Sequence, residues 1–213
     1  MTGNQFFAKL PKEFNYKDRN KIEQAYWFAK AAHVKQTRDE GERYFNHPRR
    51  VALYFLNYYL EYRQLMKYGC PELTADDICT ALMHDAVEDC WPPEGMIRKL
   101  FGENVERCVF SLSKKIPTYD KTSGYIVRKK KIPTIKYLKK MEWYGTDTEC
   151  IIKMCDRLDN LRTMCKVWSK KDQLAYIQET KVMLKIFGRF YNAEIYTDLE
   201  KEIVRVLKRL KML

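Results

Sequence analysis

Apolar residues return every three or four positions along nearly the whole chain, a spacing that points to a bundle of amphipathic helices. The first clear case is Ile22, Ala25, Tyr26, Ala29 and Ala32, which share one face of a helix expected to end near His33. The polar stretch from Lys35 to Asn46, with Gly41 inside it, reads as a loop. Pro48 is placed to open the next helix, so His47 falls at a loop-to-helix junction. Thr74 with Asp77 forms a capping-box variant for a helix carrying Ile78, Ala81, Leu82 and Asp85, which Trp91-Pro92-Pro93 stops. Helical pattern continues from Glu94 to Leu112, and a basic helix is expected from Tyr125 to Trp143, interrupted near Pro133. Gly145 and Asp147 supply a stop and a cap before the helix holding Ile151 to Cys165, and Ser169 with Asp172 caps the next. The last helices span about Lys170 to Phe187 and Glu194 to Leu213. Lys114 to Gly124, containing Pro117 and Gly124, is the most loop-like interior segment and is expected to be mobile. The fold class expected is all-α, as one domain over residues 1–213.

Composition narrows the function class. With 46% hydrophobic and 32% charged residues, the chain is globular, and Gly and Pro are too sparse for a sandwich of many tight turns. The longest apolar run, Val51 to Leu60, is broken by Asn57 and falls short of the roughly 18 residues a membrane span needs. The N-terminus lacks the apolar core of a signal peptide, so a cytoplasmic location and no membrane partner are expected. Seven scattered cysteines without a Cys-x-x-Cys pair are expected to be reduced and structural. The formal charge of +12 suits a polyanion, whether nucleic acid, membrane surface or small phosphorylated substrate, and does not choose among them.

Three segments carry chemistry. In His84-Asp85-Ala86-Val87-Glu88-Asp89, a continuous helix would set His84 one turn from Glu88 and Asp85 one turn from Asp89, presenting all four groups on one face. Imidazole and carboxylate together suit a divalent ion of the Mn, Fe or Zn range, with a second carboxylate pair as general acid or base. A His-Asp dipeptide alone is more often a capped, solvated helix end. Asp156, Asn160 and Thr163 follow i, i+4, i+7 spacing inside an apolar helix, where inward polar groups need partners. His47 stands alone at the start of its helix and, by itself, reads as a capping or packing histidine.

Taken in order, these motifs become specific. His47-Pro48 with Val51-Ala52, His84-Asp85 with Glu88-Asp89, and Asp156-Arg157 with Asn160 and Arg162-Thr163 resemble the motifs of the RelA/SpoT hydrolase domain, an HD-type metal-dependent hydrolase. The upstream residues His33, Gln36, Arg38, Gly41, Glu42 and Tyr44, and downstream Gln178-Glu179-Thr180 and Arg189, extend the resemblance over about residues 20 to 190. The resemblance implies that His47, His84, Asp85 and Asp156 bind one metal, usually manganese, and that Glu88 and Asp89 are the catalytic carboxylates. It implies that Asn160 and Thr163 contact the nucleotide sugar and phosphate neighbourhood and that Arg38 packs over a guanine base. The substrate of that family is guanosine tetra- or pentaphosphate, an alarmone cleaved at the 3′-linkage to pyrophosphate and GDP or GTP, and the resemblance implies the same here. The resemblance places the basic run Arg128-Lys129-Lys130-Lys131, with Lys136, Lys139 and Lys140, on a helix beside the site, where Lys129 and Lys130 are expected to help neutralise the phosphates.

Three positions depart from the family pattern: Arg43 where proline is usual, Asp159 where histidine or tyrosine is common, and Ala86 where threonine is frequent. None removes a proposed ligand. The chain stops soon after the hydrolase motifs, which resembles the small alarmone hydrolases without synthetic activity. Two alternatives stay open: the same metal chemistry on an adenine alarmone of the ppApp type or on NADPH, and a basic nucleic-acid-binding helical module with a vestigial site. Retention of every proposed ligand argues against the second, so no nucleic-acid partner is expected.

Overall fold

The computed structural model describes residues 2–65, 72–164, 167–188 and 193–212. A short helix α1 (Gly3–Phe7) lays Phe6 against Tyr26 of α2 (Tyr16–Ala32), their rings 5.4 Å apart. Asn15 caps α2 by accepting from the amides of Lys17 and Asp18. The helix ends at His33 as the sequence predicts, and α3 (Asn46–Leu65) begins one residue before His47. Between them the chain turns tightly, with an isolated bridge pairing Thr37 with Arg43 and Gly41 at φ 82°, a left-handed conformation that glycine adopts without steric cost.

Helix α4 (Ala75–Met83) carries the full Thr74–Asp77 capping box. The continuous helix expected through Asp89 is not formed. His84 and Asp85 make a turn, and a separate short helix α5 (Ala86–Asp89) follows. The reason is local: His84 Nδ1 lies 2.9 Å from the Ala81 carbonyl, the acceptor a continuing helix would give to the Asp85 amide. Glu94 to Leu112 likewise divides into α6 (Met96–Phe101) and α7 (Glu103–Leu112) at Gly102, whose φ of 90° breaks the helix.

The larger correction lies between Lys114 and Lys131. Where a mobile loop and the start of a basic helix were expected, the chain forms an antiparallel hairpin, β1 (Lys115–Tyr119) and β2 (Ile126–Lys131). Lys115 pairs with Lys131 and Pro117 with Lys129, and a register shift lies between Thr118 and Tyr119. The turn is fixed by Asp120, whose carboxylate accepts from the amides of Thr122 and Ser123. β-branched Ile116, Thr118, Ile126 and Val127 favour strand, and in a strand the basic run alternates its charges between two faces instead of stacking them at helical spacing. The basic helix is accordingly shorter, α8 (Thr134–Tyr144).

Helix α9 (Asp147–Thr163) is the axis of the bundle. Its cap is Thr146, paired with Glu149, and not Asp147. It is buried continuously from Glu149 to Asp159, packing against α3, α7 and α8. It also packs against α10 (Lys170–Phe187), capped by Ser169, and α11 (Ala193–Arg209). On α11, Ile195, Leu199, Ile203 and Val206 form the apolar stripe that faces this axis. One contiguous core joins residues from Phe6 to Val206. Among the described residues no helix is long and apolar enough to cross a membrane. Cys79, Cys90, Cys108, Cys150 and Cys155 are reduced, with no disulfide among them, and all but Cys90 are buried; Cys70, Cys165 and Arg189 lie outside the described residues.

Candidate metal centre

Three helical elements bring two imidazoles and two carboxylates to one point. His47 comes from the first turn of α3, His84 and Asp85 from the turn between α4 and α5, and Asp156 from the middle of α9. Donor atoms of His47, His84 and Asp156 lie within 4.8 Å of one another. His47 Nε2 is 3.3 Å from Asp156 Oδ1 and 3.5 Å from Asp85 Oδ2, and His84 Nε2 is 3.3 Å from Asp85 Oδ2. Donors about 2.1 Å from a common ion stand about 3.0–3.5 Å from each other, so these separations fit a shared cation.

The orientation of both rings fits as well. His47 Nδ1 is 2.7 Å from Asp159 Oδ2, and His84 Nδ1 is 2.9 Å from the Ala81 carbonyl. With each Nδ1–H donated outward, each Nε2 lone pair is left facing the centre, as in metal-bound histidines. His84 Nε2 is buried and has no hydrogen-bond partner among the described residues. A mixed N/O donor set of this kind accommodates Mn, Fe, Co or Zn.

Charge completes the picture. Burial alone would disfavour charge on each group, but the carboxylates of Asp156, Asp159 and Asp85 outweigh it and hold the His47 pKa well above the usual imidazole value. Against the same burial, His84 and His47 hold Asp85 well below the ordinary carboxylate range, and Lys153 and His47 do so for Asp156. Lys153 is buried beside Asp156 at 2.7 Å, and its own pKa is raised by that carboxylate despite burial. A proton on His47 Nε2 thus occupies the place where a cation would satisfy the same carboxylates.

The helix break divides the His84–Asp89 segment into two pairs facing different ways. His84 and Asp85 meet His47, while Glu88 and Asp89 face the β-hairpin. The Lys114 amide donates to Glu88 Oε2 at 3.0 Å, and the Lys115 ammonium lies 3.2 Å from Asp89 Oδ1. Lys129 Nζ donates to the Glu88 carbonyl at 2.8 Å. Tyr44 links the two pairs, its hydroxyl 2.9 Å from Asp85 Oδ2 and 2.8 Å from Asp89 Oδ2, with His33 stacked on its ring.

Beside Asp156 lies a polar rim. Asn160 Nδ2 donates to Asp156 Oδ1 at 2.7 Å, and Arg38 donates to Asn160 Oδ1 at 2.7 Å and to Thr163 Oγ1 at 3.1 Å. Arg38, Asn160 and Thr163 therefore form one cluster although 122 positions separate Arg38 from Asn160. Lys129 and Lys130 separate: Lys129 turns toward Glu88, whereas Lys130 lines a surface groove with Trp143. Lys136, Lys139 and Lys140, on α8, line the same groove.

Several side chains that contact the centre or the residues around it were not expected from sequence. Asp159, noted only as a departure, orients His47 and is itself gripped by Arg50 at 2.6 and 3.0 Å, with Glu42 holding the far side of that guanidinium. Its spacing of three from Asp156 was the available signal. Lys115 lay in the segment taken for a loop. Lys114 is crowded by burial, Lys153 and Arg157, which push its amine down to about 8. Arg157 lies over the Tyr176 ring at 4.2 Å and pairs with Glu179 at 2.9 Å.

A bundle of this form with a His, His-Asp and Asp centre defines the HD-domain class, and the HD domain family matches residues 25–194; the chain belongs to that family. Among curated proteins it is 26% identical over 204 residues to a "Probable guanosine-3′,5′-bis(diphosphate) 3′-pyrophosphohydrolase" of Mycoplasma genitalium, covering 95% of this chain and 26% of that protein. It is 29% identical over 183 residues to the "Bifunctional (p)ppGpp synthase/hydrolase SpoT" of Escherichia coli K12, covering 85% of this chain and 23% of that protein. The chain thus spans about a quarter of the length of these relatives. A solved structure of a metazoan ortholog of SpoT that "hydrolyzes ppGpp" shares the fold with a TM-score of 0.65 at 20% identity, over 91% of this chain and 97% of that one.

Proposed function

We propose that this chain is a manganese-dependent hydrolase that removes pyrophosphate from the 3′-position of guanosine tetra- or pentaphosphate, leaving GDP or GTP. The observation that carries the reading is the convergence of His47, His84, Asp85 and Asp156 on one centre, with Arg38, Asn160 and Thr163 beside it. The names of the curated relatives supply the substrate class.

When bound, the divalent ion polarises a phosphoryl oxygen and lowers the pKa of a coordinated water. The chain's own residues do the rest. Asp159 and the Ala81 carbonyl fix the two imidazoles in the ligating orientation. Lys153 keeps Asp156 ionised. Glu88 takes a proton from the attacking water and, with Asp89, passes it to the 3′-oxygen as the bond from that oxygen to phosphorus breaks, while Lys115 beside both carboxylates offers positive charge to the phosphates. Arg38, pinned at its edge by Asn160 and Thr163, offers a flat guanidinium face to a purine, and Asn160 and Thr163 address the sugar and nearby phosphate. Lys129 adds positive charge on the hairpin side.

The test is product analysis of purified protein with manganese and ppGpp. Release of pyrophosphate and GDP is expected, and the Asp85→Ala variant should release neither. If wild type and variant both leave ppGpp intact, the reading fails. A panel including ppApp and NADPH, ranked by kcat/KM, fixes the purine and the scissile bond.

A further inference from the structure

The basic groove that Lys130 lines belongs to neither the metal centre nor the carboxylate pair. It has a volume of about 550 Å³ and is walled by Ile116, Lys130 and Lys131 of the hairpin, by Ile132 and Pro133, and by Lys136, Lys139, Lys140, Trp143 and Tyr144 of α8. Trp143 and Tyr144 are 77% and 78% exposed at the open end of α8. Such exposure of two adjacent large rings is costly in water unless something covers them. Lys130, Lys131, Lys136, Lys139 and Lys140 are all exposed and none forms an ion pair among the described residues, whereas Lys115 and Lys153 do. The one acid of α8, Glu142, does not line the groove.

We infer that this groove binds a single-stranded nucleic acid, with its phosphates on the lysines and bases stacked on Trp143 and Tyr144. Three features favour that occupant. Unpaired lysines beside free aromatic faces are the combination that sequence-tolerant single-strand binders use. From Lys136 to Trp143 the helix rises about 10 Å, roughly three base steps of a strand. The site is concave, with Ile116, Ile132 and Pro133 lining it; an anionic bilayer is better met by a convex face whose apolar side chains project. A duplex hides its base faces and cannot use the rings. The groove is distinct from the hydrolase site: Lys129 reaches the Glu88 carbonyl, whereas Lys130 and Lys131 line the groove, which none of the proposed metal ligands or catalytic carboxylates lines.

The experiment is fluorescence anisotropy of the full chain with 5′-labelled 12-mer oligouridylate and oligoadenylate, and with a duplex of the same length, across a salt series. Single strands should bind more tightly than duplex, with affinity falling on a log–log slope of about −0.7 per phosphate neutralised. Lys136→Glu with Lys139→Glu should weaken binding at least tenfold and flatten the slope by about 1.4, two phosphates at that value. Trp143→Ala should weaken it about five- to hundredfold at unchanged slope, and Trp143→Phe should recover most of the loss. All these side chains are exposed, so the variants should melt with the wild type. The inference is overturned if neither oligonucleotide binds at low salt. Indifference of binding to the Trp143 and lysine substitutions would also overturn it, as would capture by phosphatidylserine vesicles without capture by the oligonucleotides.

Discussion

One short segment supplies a His-Asp pair at one end and a carboxylate pair at the other, and the two ends sit in different surroundings. Asp85 faces two imidazoles and shares its centre with Asp156, and His84 and His47 hold it ionised despite its burial. Glu88 and Asp89 are half-buried, facing a hairpin that offers lysines and a backbone amide. The first environment suits a fixed cation, because every neighbour is already oriented toward one point. The second suits proton transfer, because its partners are ammonium groups at the edge of solvent. The turn at His84–Asp85 separates the two pairs, and the Tyr44 hydroxyl hydrogen-bonds to a carboxylate of each.

The sharpest way to break that comparison is to remove Asp156. Asp156→Ala should abolish metal binding and lower hydrolysis by at least about a thousandfold, and it should cost about 3–5 kcal/mol of stability because Lys153 is left buried and unpaired. Metal content by mass spectrometry and a denaturant melt check both parts. Glu88→Gln should behave differently: metal content stays at wild-type level while kcat falls about 10²–10⁴-fold. A Glu88→Gln protein that lost its metal would erase the distinction between the two ends.

Asp159→Asn tests the outer support of the ligand end. It keeps the shape but weakens the acceptor for His47 Nδ1 and for Arg50, so metal affinity should drop about 10–100-fold with the catalytic carboxylates untouched. A metal-competition titration would show it. Lys115→Ala acts on the other end and should raise KM for ppGpp about tenfold with little change in metal affinity, read from initial-rate kinetics.

The smallest effect concerns pH. A His47 pKa raised in the metal-free fold contributes stability that is fully present below the unfolded value near 6.5 and is lost as pH rises through the folded value. A cation takes over the same carboxylates as that proton leaves. The gain in Tm on adding manganese should therefore be larger at pH 8 than at pH 6, by a few degrees. Equal gains at both would mean that proton and metal do not compete at His47.

Much of this was legible in one dimension. Helix α2 and its end at His33, the Thr74 and Ser169 caps, and the junction at His47 follow from spacing and capping chemistry that act within a few residues. The hairpin was missed because Pro117 and Gly124 signal a break without saying what flanks it, and a lysine run reads as helix or strand until pairing fixes it. The break after Met83 was missed because it rests on a side chain competing for one carbonyl, Ala81. Lys130 was grouped with Lys129 because sequence neighbours look equivalent until a strand turns them to opposite faces.

Residue types and their order thus determined a helical bundle and the kinds of group available to a metal and a phosphorylated nucleotide, since both follow from local periodicity and side-chain chemistry. Which of those groups meet was decided only in three dimensions. Asp159 behind His47, Arg38 against Asn160, and Lys115 beside Asp89 are contacts between distant segments. Their existence depends on how α3, α9 and the hairpin pack, which no short stretch of sequence encodes.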